Sequence, residues 1–551
     1  MLYAAGCAFL ALRQAFASPY MLADDVRQHV FWMFRYLDPG LFPGDPVADY
    51  FQSLAPSGFA AIYWLLARVG VDPLLASKLI PTALSFIAVG YFFGLAWHFF
   101  RSPAAAALTA VLFAQCLWLN SDLSSATPRA FFYPLFAAFL YYHVRGSLLG
   151  LLIAIGLEAI FFPPAALLSL GVLAWSCLGW DRGPRLLKTR QAYLVAAAGL
   201  GLTLLCLWPY LHQVGISGPL VSYAEARHMP EFGPKGRVPV FLSSWWGYWV
   251  GGNAGLHNLP TRPFWFLLAL LWPLLRLCPN RFPFLRAVPG GTRPIPQIIG
   301  AALSLFALAH ILLFRLYLPN RYTQATTRVL LTLLAGGVIV ALIDTALLRE
   351  KSRPNEHNGR RGKVTLVLVA LTLGVLLAYP VLIPVFPTNS YLEGQAHGLY
   401  RFFARQPATI RIASVADEAD NLPTLCRRSI VIGAECAVPF HPAYYLPLRA
   451  RGLQIARAQY SDDPAVVQQC VRDQQIDFWL LERKAFTPKY RHHSRLLRQL
   501  RLVAPAEDLG VAHGETPFLK SSPPGAIAYQ DKRYIVLDVH RLFAAKKTRS
   551  R

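Results

Sequence analysis

The chain has 551 residues, of which 55% are hydrophobic and only 15% charged, with a net charge of +24. That charge is too sparse to coat a water-soluble protein of this length, which excludes a soluble globular enzyme. The basic residues are spread over many short loops, with no basic domain, which excludes nucleic acid as the expected partner and points to membrane lipids.

In chain order, apolar segments are predicted as helices at 1–17, 77–100, 104–119, 129–144, 147–162, 164–180, 190–211, 262–278, 297–316, 329–348 and 364–386. A hydrocarbon core of about 30 Å needs about 20 residues at 1.5 Å rise, so this is a polytopic α-helical membrane protein with about eleven transmembrane helices. Residues 1–17 lack a basic leader and a small-residue cleavage site, so they are read as the first transmembrane helix, not a signal peptide. The short amphipathic segment 56–70 is read as lying on the membrane surface. Charge then sets the orientation. One set of loops carries Arg101, Arg145, Arg182, Arg185, Lys188, Arg190, Arg281, Arg286, Arg293, Arg349, Lys351, Arg353, Arg360, Arg361 and Lys363, and is therefore cytoplasmic. The opposite face holds the first outer loop 18–76, the loops 120–128, 212–261 and 317–328, and everything after 386.

The division expected is a transmembrane domain over 1–386 and a soluble extracytoplasmic domain over 387–551. In the latter, 409–415, 428–433, 477–482 and 533–539 read as strands, and 442–458, 463–474 and 490–501 as helices, which gives a C-terminal α/β domain. It has no GxGxxG and no P-loop. The cysteines form no CxxC pair; most lie in apolar helices, and Cys426 with Cys436 is the pair open to a disulfide.

Candidate chemistry gathers at the outer face. The first outer loop opens with Asp24 and Asp25, suited to taking a proton from an acceptor hydroxyl or to holding a divalent cation, Mg²⁺ or Mn²⁺; the bland alternative is that they cap the helix starting near Val26. Asp38, Asp45 and Asp49 sit among Pro and Gly as turn residues. Arg129 follows SSATP, and LFRLYLPNRYTQATTR carries Arg315, Arg321 and Arg328, arginines on the face that should lack them. Their forks suit phosphate oxygens, or equally a carboxylate partner. Glu158 and His310 lie near the outer ends of their helices, where an ionisable group needs a cavity or a partner. Trp245, Trp246, Tyr248 and Trp249 in 212–261 read as an interfacial belt or as stacking surfaces.

In layout the chain resembles the GT-C superfamily of polytopic membrane glycosyltransferases: a first helix, an outer loop with the acidic pair Asp24–Asp25, a many-helix body and a C-terminal outer domain. The stretches ADDVRQHVFW, SSATPRAFFYP and LPNRYTQATTR also look like those of bacterial membrane proteins of this type. The resemblance implies a polyprenyl-phosphate-linked sugar as donor, an acid of the first outer loop (Asp24 or Asp25) as catalytic base or metal ligand, and a bacterial inner membrane with the C-terminal domain periplasmic. Arg129, Arg321 and Arg328 are then the candidate phosphate-binding groups, with Glu158 and His310 as substrate-contacting or supporting groups. No WWDYG-like signature stands in 387–551, and SSWWGYW lies in another loop, which argues against protein N-glycosylation. The competing readings are a transporter or flippase of a lipid-linked saccharide, which needs polar groups through the whole membrane depth, and a non-catalytic membrane scaffold.

Overall fold

The computed structural model describes residues 1–179, 185–186, 190–212, 217–256, 263–288, 294–351, 358–383, 386, 391–504 and 516–547. Each of the eleven predicted membrane segments falls on a helix. Five are long and apolar enough to cross a membrane: Pro73–Phe100, Arg190–Trp208, Pro294–Ile311, Asn320–Arg349 and Gly362–Leu382. Leu2–Ala15, Pro103–Trp118, Phe132–Arg145, Leu148–Phe161, Pro163–Ser176 and the 3₁₀–α run Phe264–Leu277 are shorter. Exposed Leu194, Leu205, Trp208, Leu303, Ile311, Val367, Leu371 and Val381 face outward from the long helices. In water that surface would aggregate, and in lipid it is the solvated one, so the chain is a multi-pass membrane protein.

Local signals set the helix ends. Asp72 begins Pro73–Phe100 by accepting from the backbone N–H of Leu74 at 2.8 Å and of Leu75 at 3.4 Å, and Ser102 caps Pro103–Trp118. Asp45, expected in a turn, caps Pro46–Ser53 through the N–H groups of Val47 and Ala48. Within the body, Pro103–Trp118 and Asn320–Lys351 approach closely at Gly336, where a Cβ would collide with the Thr109 side chain. The 56–70 segment is a helix, Ser57–Arg68, that buries Phe59, Tyr63 and Ala67 and leaves Trp64 and Leu65 exposed.

The C-terminal part is built on a five-stranded sheet ordered Ser429–Ile430, Arg411–Ala413, Phe478–Glu482, Tyr534–Asp538, Ile527–Gln530. The first three strands are parallel and the last two antiparallel to their neighbours. The four predicted strands are all present, and Ile527–Gln530 was missed because GAIAYQ lacks a β-branched run. Pro442–Tyr460 and Pro464–Gln474 are helical as expected, while 490–501 is split at Ser494 into Pro488–His493 and Arg495–Leu500. Cys426 and Cys436 are buried free thiols. They belong to two different apolar clusters, Cys436 to the main core and Cys426 to a smaller one under the sheet, so the disulfide left open above is not formed.

The outer loop is clamped to the C-terminal part. Met21–Ala23 pairs antiparallel with Tyr391–Glu393, Met21 opposite Glu393 and Ala23 opposite Tyr391. Tyr50 stacks on Tyr444 at 3.5 Å and hydrogen-bonds His441 at 2.9 Å, and Arg427 bridges to Asp72 at 2.6 Å. One apolar core runs through the helices, this loop and the C-terminal sheet. Asp24 and Asp25 therefore leave directly from a pinned strand.

Candidate active site on the first outer loop

Although adjacent, the two aspartates take different partners. The carboxylate of Asp25 is ion-paired with Arg129, both side chains about a quarter exposed. Its side chain makes no cap to Val26–His29, so the capping alternative fails at this residue. The guanidinium of Arg129 also reaches Asp122 at 3.5 Å. Asp122 in turn accepts from Arg328 at 2.7 Å and from the Tyr133 hydroxyl at 3.2 Å, and Arg328 donates to Tyr133 Oη at 2.9 Å. The result is an alternating chain, Asp25–Arg129–Asp122–Arg328, drawn from three separate segments. Burial alone would push the Asp122 carboxyl up, but Arg328, Arg129 and Arg321 together hold it down at about 2, so it is ionised. His29 faces the same pair; burial dominates over Asp25 and lowers it to about 4, so it is neutral at ordinary pH.

Arg321 differs from its neighbours. Among the described residues it forms no ion pair, although its charge is felt by Asp122, and its guanidinium lies 5.7 Å from the ring of Tyr317. Phe314 and Tyr317, at φ of 69° and 66°, bend the connection that presents it, and Ala126, at φ 48°, bends the loop carrying Asp122 and Arg129. Left-handed backbone at residues with a Cβ costs about 1–2 kcal/mol each and is commonest where geometry serves a site.

Asp24 turns the other way. It is half exposed and ion-paired with buried Arg27, which reaches Glu435 of the C-terminal part at 3.3 Å. Glu435, 3% exposed, is shared by Arg27, Arg237 and Arg495, and it accepts from Gln28 Nε2 at 2.9 Å. Burial raises the Glu435 carboxyl, and the three arginines outweigh it and bring it below the usual range. Asp420 accepts from the Glu435 N–H at 3.1 Å; burial, then the charge of Glu435, push it up to about 7. The folded protein then holds a proton on Asp420 that the unfolded chain, at 3.8, has lost. This contribution to stability is present below about pH 4 and is lost as pH rises through about 7. Asp420→Asn should therefore narrow the difference in thermal midpoint between about pH 5 and about pH 8.

Of the sequence candidates, the structure joins Asp25 to Arg129 directly and Arg328 to them through Asp122, places Arg321 beside them, and ties Asp24 through Arg27 to Glu435 instead. Glu158 and His310 are not in this cluster. Glu158 is fully buried beside Ser169 of the next helix. His310 donates from Nε2 to the Ala254 carbonyl at 2.8 Å and accepts from Tyr248 at Nδ1, which fixes the 217–256 loop. Asp122, Arg27, His29 and Glu435 were missed. Asp122 carried a signal, a carboxylate in the same outer loop as Arg129.

Asp24 and Asp25 do not fit a divalent-cation site as they stand, since each carboxylate is taken by a different arginine. Among the described residues, no group of three His, Cys, Asp or Glu side chains could hold a metal ion.

No family model matches the sequence, and no curated protein matches it. In structure, the chain is similar to the oligosaccharyltransferase of Archaeoglobus fulgidus in its apo form, at TM-score 0.53 and 12% identity over 91% of this chain and 72% of that one. The same archaeal enzyme, AglB, in complex with an inhibitory peptide and a dolichol-phosphate matches at TM-score 0.52 and 12% identity, over 89% and 70%. ArnT from Cupriavidus metallidurans bound to undecaprenyl phosphate aligns over 97% of both chains at 13% identity and TM-score 0.46. These neighbours are GT-C glycosyltransferases, and the likeness to the archaeal enzyme is one of fold.

Proposed function

We propose that this chain is a membrane glycosyltransferase that moves a sugar from a polyprenyl-phosphate donor to an acceptor on the extracytoplasmic side, in a bacterial inner membrane with 391–547 in the periplasm. The observation that carries this reading is Asp25, set at the end of a pinned strand and paired with Arg129, at the head of a part-buried charge chain. The GT-C fold of the neighbours and the dolichol-phosphate held by one of them support it.

The donor enters from the outer leaflet. The acceptor hydroxyl attacks C1 of the sugar, the bond from C1 to the phosphate oxygen breaks, and configuration inverts. The hydroxyl proton passes to the Asp25 carboxylate. The polyprenyl phosphate leaves with its negative charge held by Arg321, whose fork is not committed to a carboxylate, and by Arg129 once Asp25 is protonated. Asp122 and Arg328 hold Arg129 in place, and Asp24 orients the loop through Arg27. Glu158 and His310 serve as supporting groups of the outer wall.

Native mass spectrometry of the purified protein tests the donor site. Expected is a co-purifying polyprenyl-phosphate lipid in wild type and its loss in the Arg129→Ala, Arg321→Ala double variant. No lipid in wild type, with vesicle uptake of a lipid-linked saccharide instead, would favour the transporter reading.

A further inference from the structure

A second cationic centre lies away from the Asp25 chain. A cavity of about 520 Å³ between the 217–256 loop and the C-terminal part is lined by Lys235, Arg237, His492, Arg495, Arg498 and Arg501. Among the described residues, no carboxylate lines it. Two of the lining arginines, Arg237 and Arg495, pair with buried Glu435, which is also shared with Arg27. Lys235 and Arg498 are exposed, and among the described residues neither forms an ion pair. Arg501 directs Nη1 to His492 Nδ1 at 3.1 Å, which leaves its Nε buried without a partner.

Five permanent cations drawn from two segments more than two hundred residues apart repel one another around this space. A cleft lined by one sign of charge concentrates the opposite sign, and arginine forks match phosphate oxygens two at a time. We propose that this cavity is a phosphate-binding site, separate from the arginines assigned to the donor, for a ligand carrying more than one phosphate charge. The wall of the site is also the link to the catalytic loop: Arg237 and Arg495 share Glu435 with Arg27, and Arg27 holds Asp24. Occupancy of the cavity competes with Glu435 for Arg237 and Arg495, and so acts on the residue next to Asp25.

The phosphate comes either from a soluble phosphorylated molecule or from a lipid headgroup. The full chain in phosphatidylcholine nanodiscs is titrated with inorganic pyrophosphate, and in a second arm with short-chain phosphatidic acid. Expected is saturable binding of at least one probe, weakened about tenfold or more in Arg498→Gln, Arg501→Gln, because each charge-assisted contact is worth about a factor of ten. Pyrophosphate binding assigns a soluble source, and binding of phosphatidic acid alone assigns a headgroup. The Arg498→Lys, Arg501→Lys variant keeps the charge and should retain most of the affinity. Should the double Gln variant unfold, the exposed Arg498→Gln alone gives the comparison. Binding of neither probe to wild type, or equal binding by wild type and the Gln variants, overturns the proposal. Because binding is read without turnover, this result stands apart from whether the chain transfers a sugar.

Discussion

Asp25→Asn is expected to lower sugar transfer by about 10²–10⁴-fold, the range a positioned base contributes. Asparagine keeps the shape of the side chain but cannot take the acceptor proton. It also leaves Arg129 with Asp122 as its remaining carboxylate, so Arg129 is freer to hold phosphate and donor binding should persist. Asp24→Asn should cost less than about tenfold, because Asp24 is half exposed and its partner Arg27 turns to Glu435, away from Arg129. The measurement is transfer from a lipid-linked donor by each variant, with the co-purifying lipid and thermal midpoint followed in parallel. If Asp24→Asn is the inactive variant and Asp25→Asn the active one, the base has been assigned to the wrong residue. Loss of activity together with lost lipid and a collapsed midpoint would make Asp25 a structural residue.

The division between what the sequence disclosed and what it concealed follows from how each feature is encoded. Apolar helices are written locally, because the bilayer demands about 20 apolar residues in a row, so the five helices long enough to cross a membrane were all legible. The acidic pair was visible as well, because two carboxylates next to a helix end are conspicuous. Their separation was not. Adjacent residues on a turn point different ways, and which arginine meets which aspartate depends on contacts 104 residues apart for Arg129 and three apart for Arg27. Asp122 reads in sequence as one polar residue in a Ser-rich turn. Only the packing of Pro128–Phe131 and Asn320–Lys351 around it makes it the centre of a charge chain. Glu435 lies in a segment read as strand and loop, and its three arginines come from the first outer loop, the 217–256 loop and the C-terminal part. No local pattern encodes a carboxylate of that kind.

Glu435→Gln should be the most destabilising single change at the junction of the outer loop and the C-terminal part. Glutamine fills the same volume, but it removes the buried charge that Arg27, Arg237 and Arg495 share. Breaking a buried pair by deleting one partner costs about 3–5 kcal/mol, because the other charge stays behind. Arg237 and Arg495 are 25% and 33% exposed and recover water, whereas Arg27, at 6%, cannot. The lower end of that range, about 3 kcal/mol, is therefore expected, read as a fall in thermal midpoint followed by tryptophan fluorescence. Arg27→Met added to Glu435→Gln should restore part of the loss, since no buried cation is then left with only the half-exposed Asp24 to neutralise it. If the double variant is as unstable as the sum of the two single ones, Arg27 and Glu435 do not act as a pair. The pH behaviour gives a second reading. Glu435 has its carboxyl lowered on folding, so its contribution exists above the unfolded value of 4.5 and fades as pH falls through the lower folded value. That is opposite in sign to Asp420. Glu435→Gln should therefore remove the acid-side loss of stability and also weaken the Asp420 effect, because the charge that helps raise Asp420 is gone.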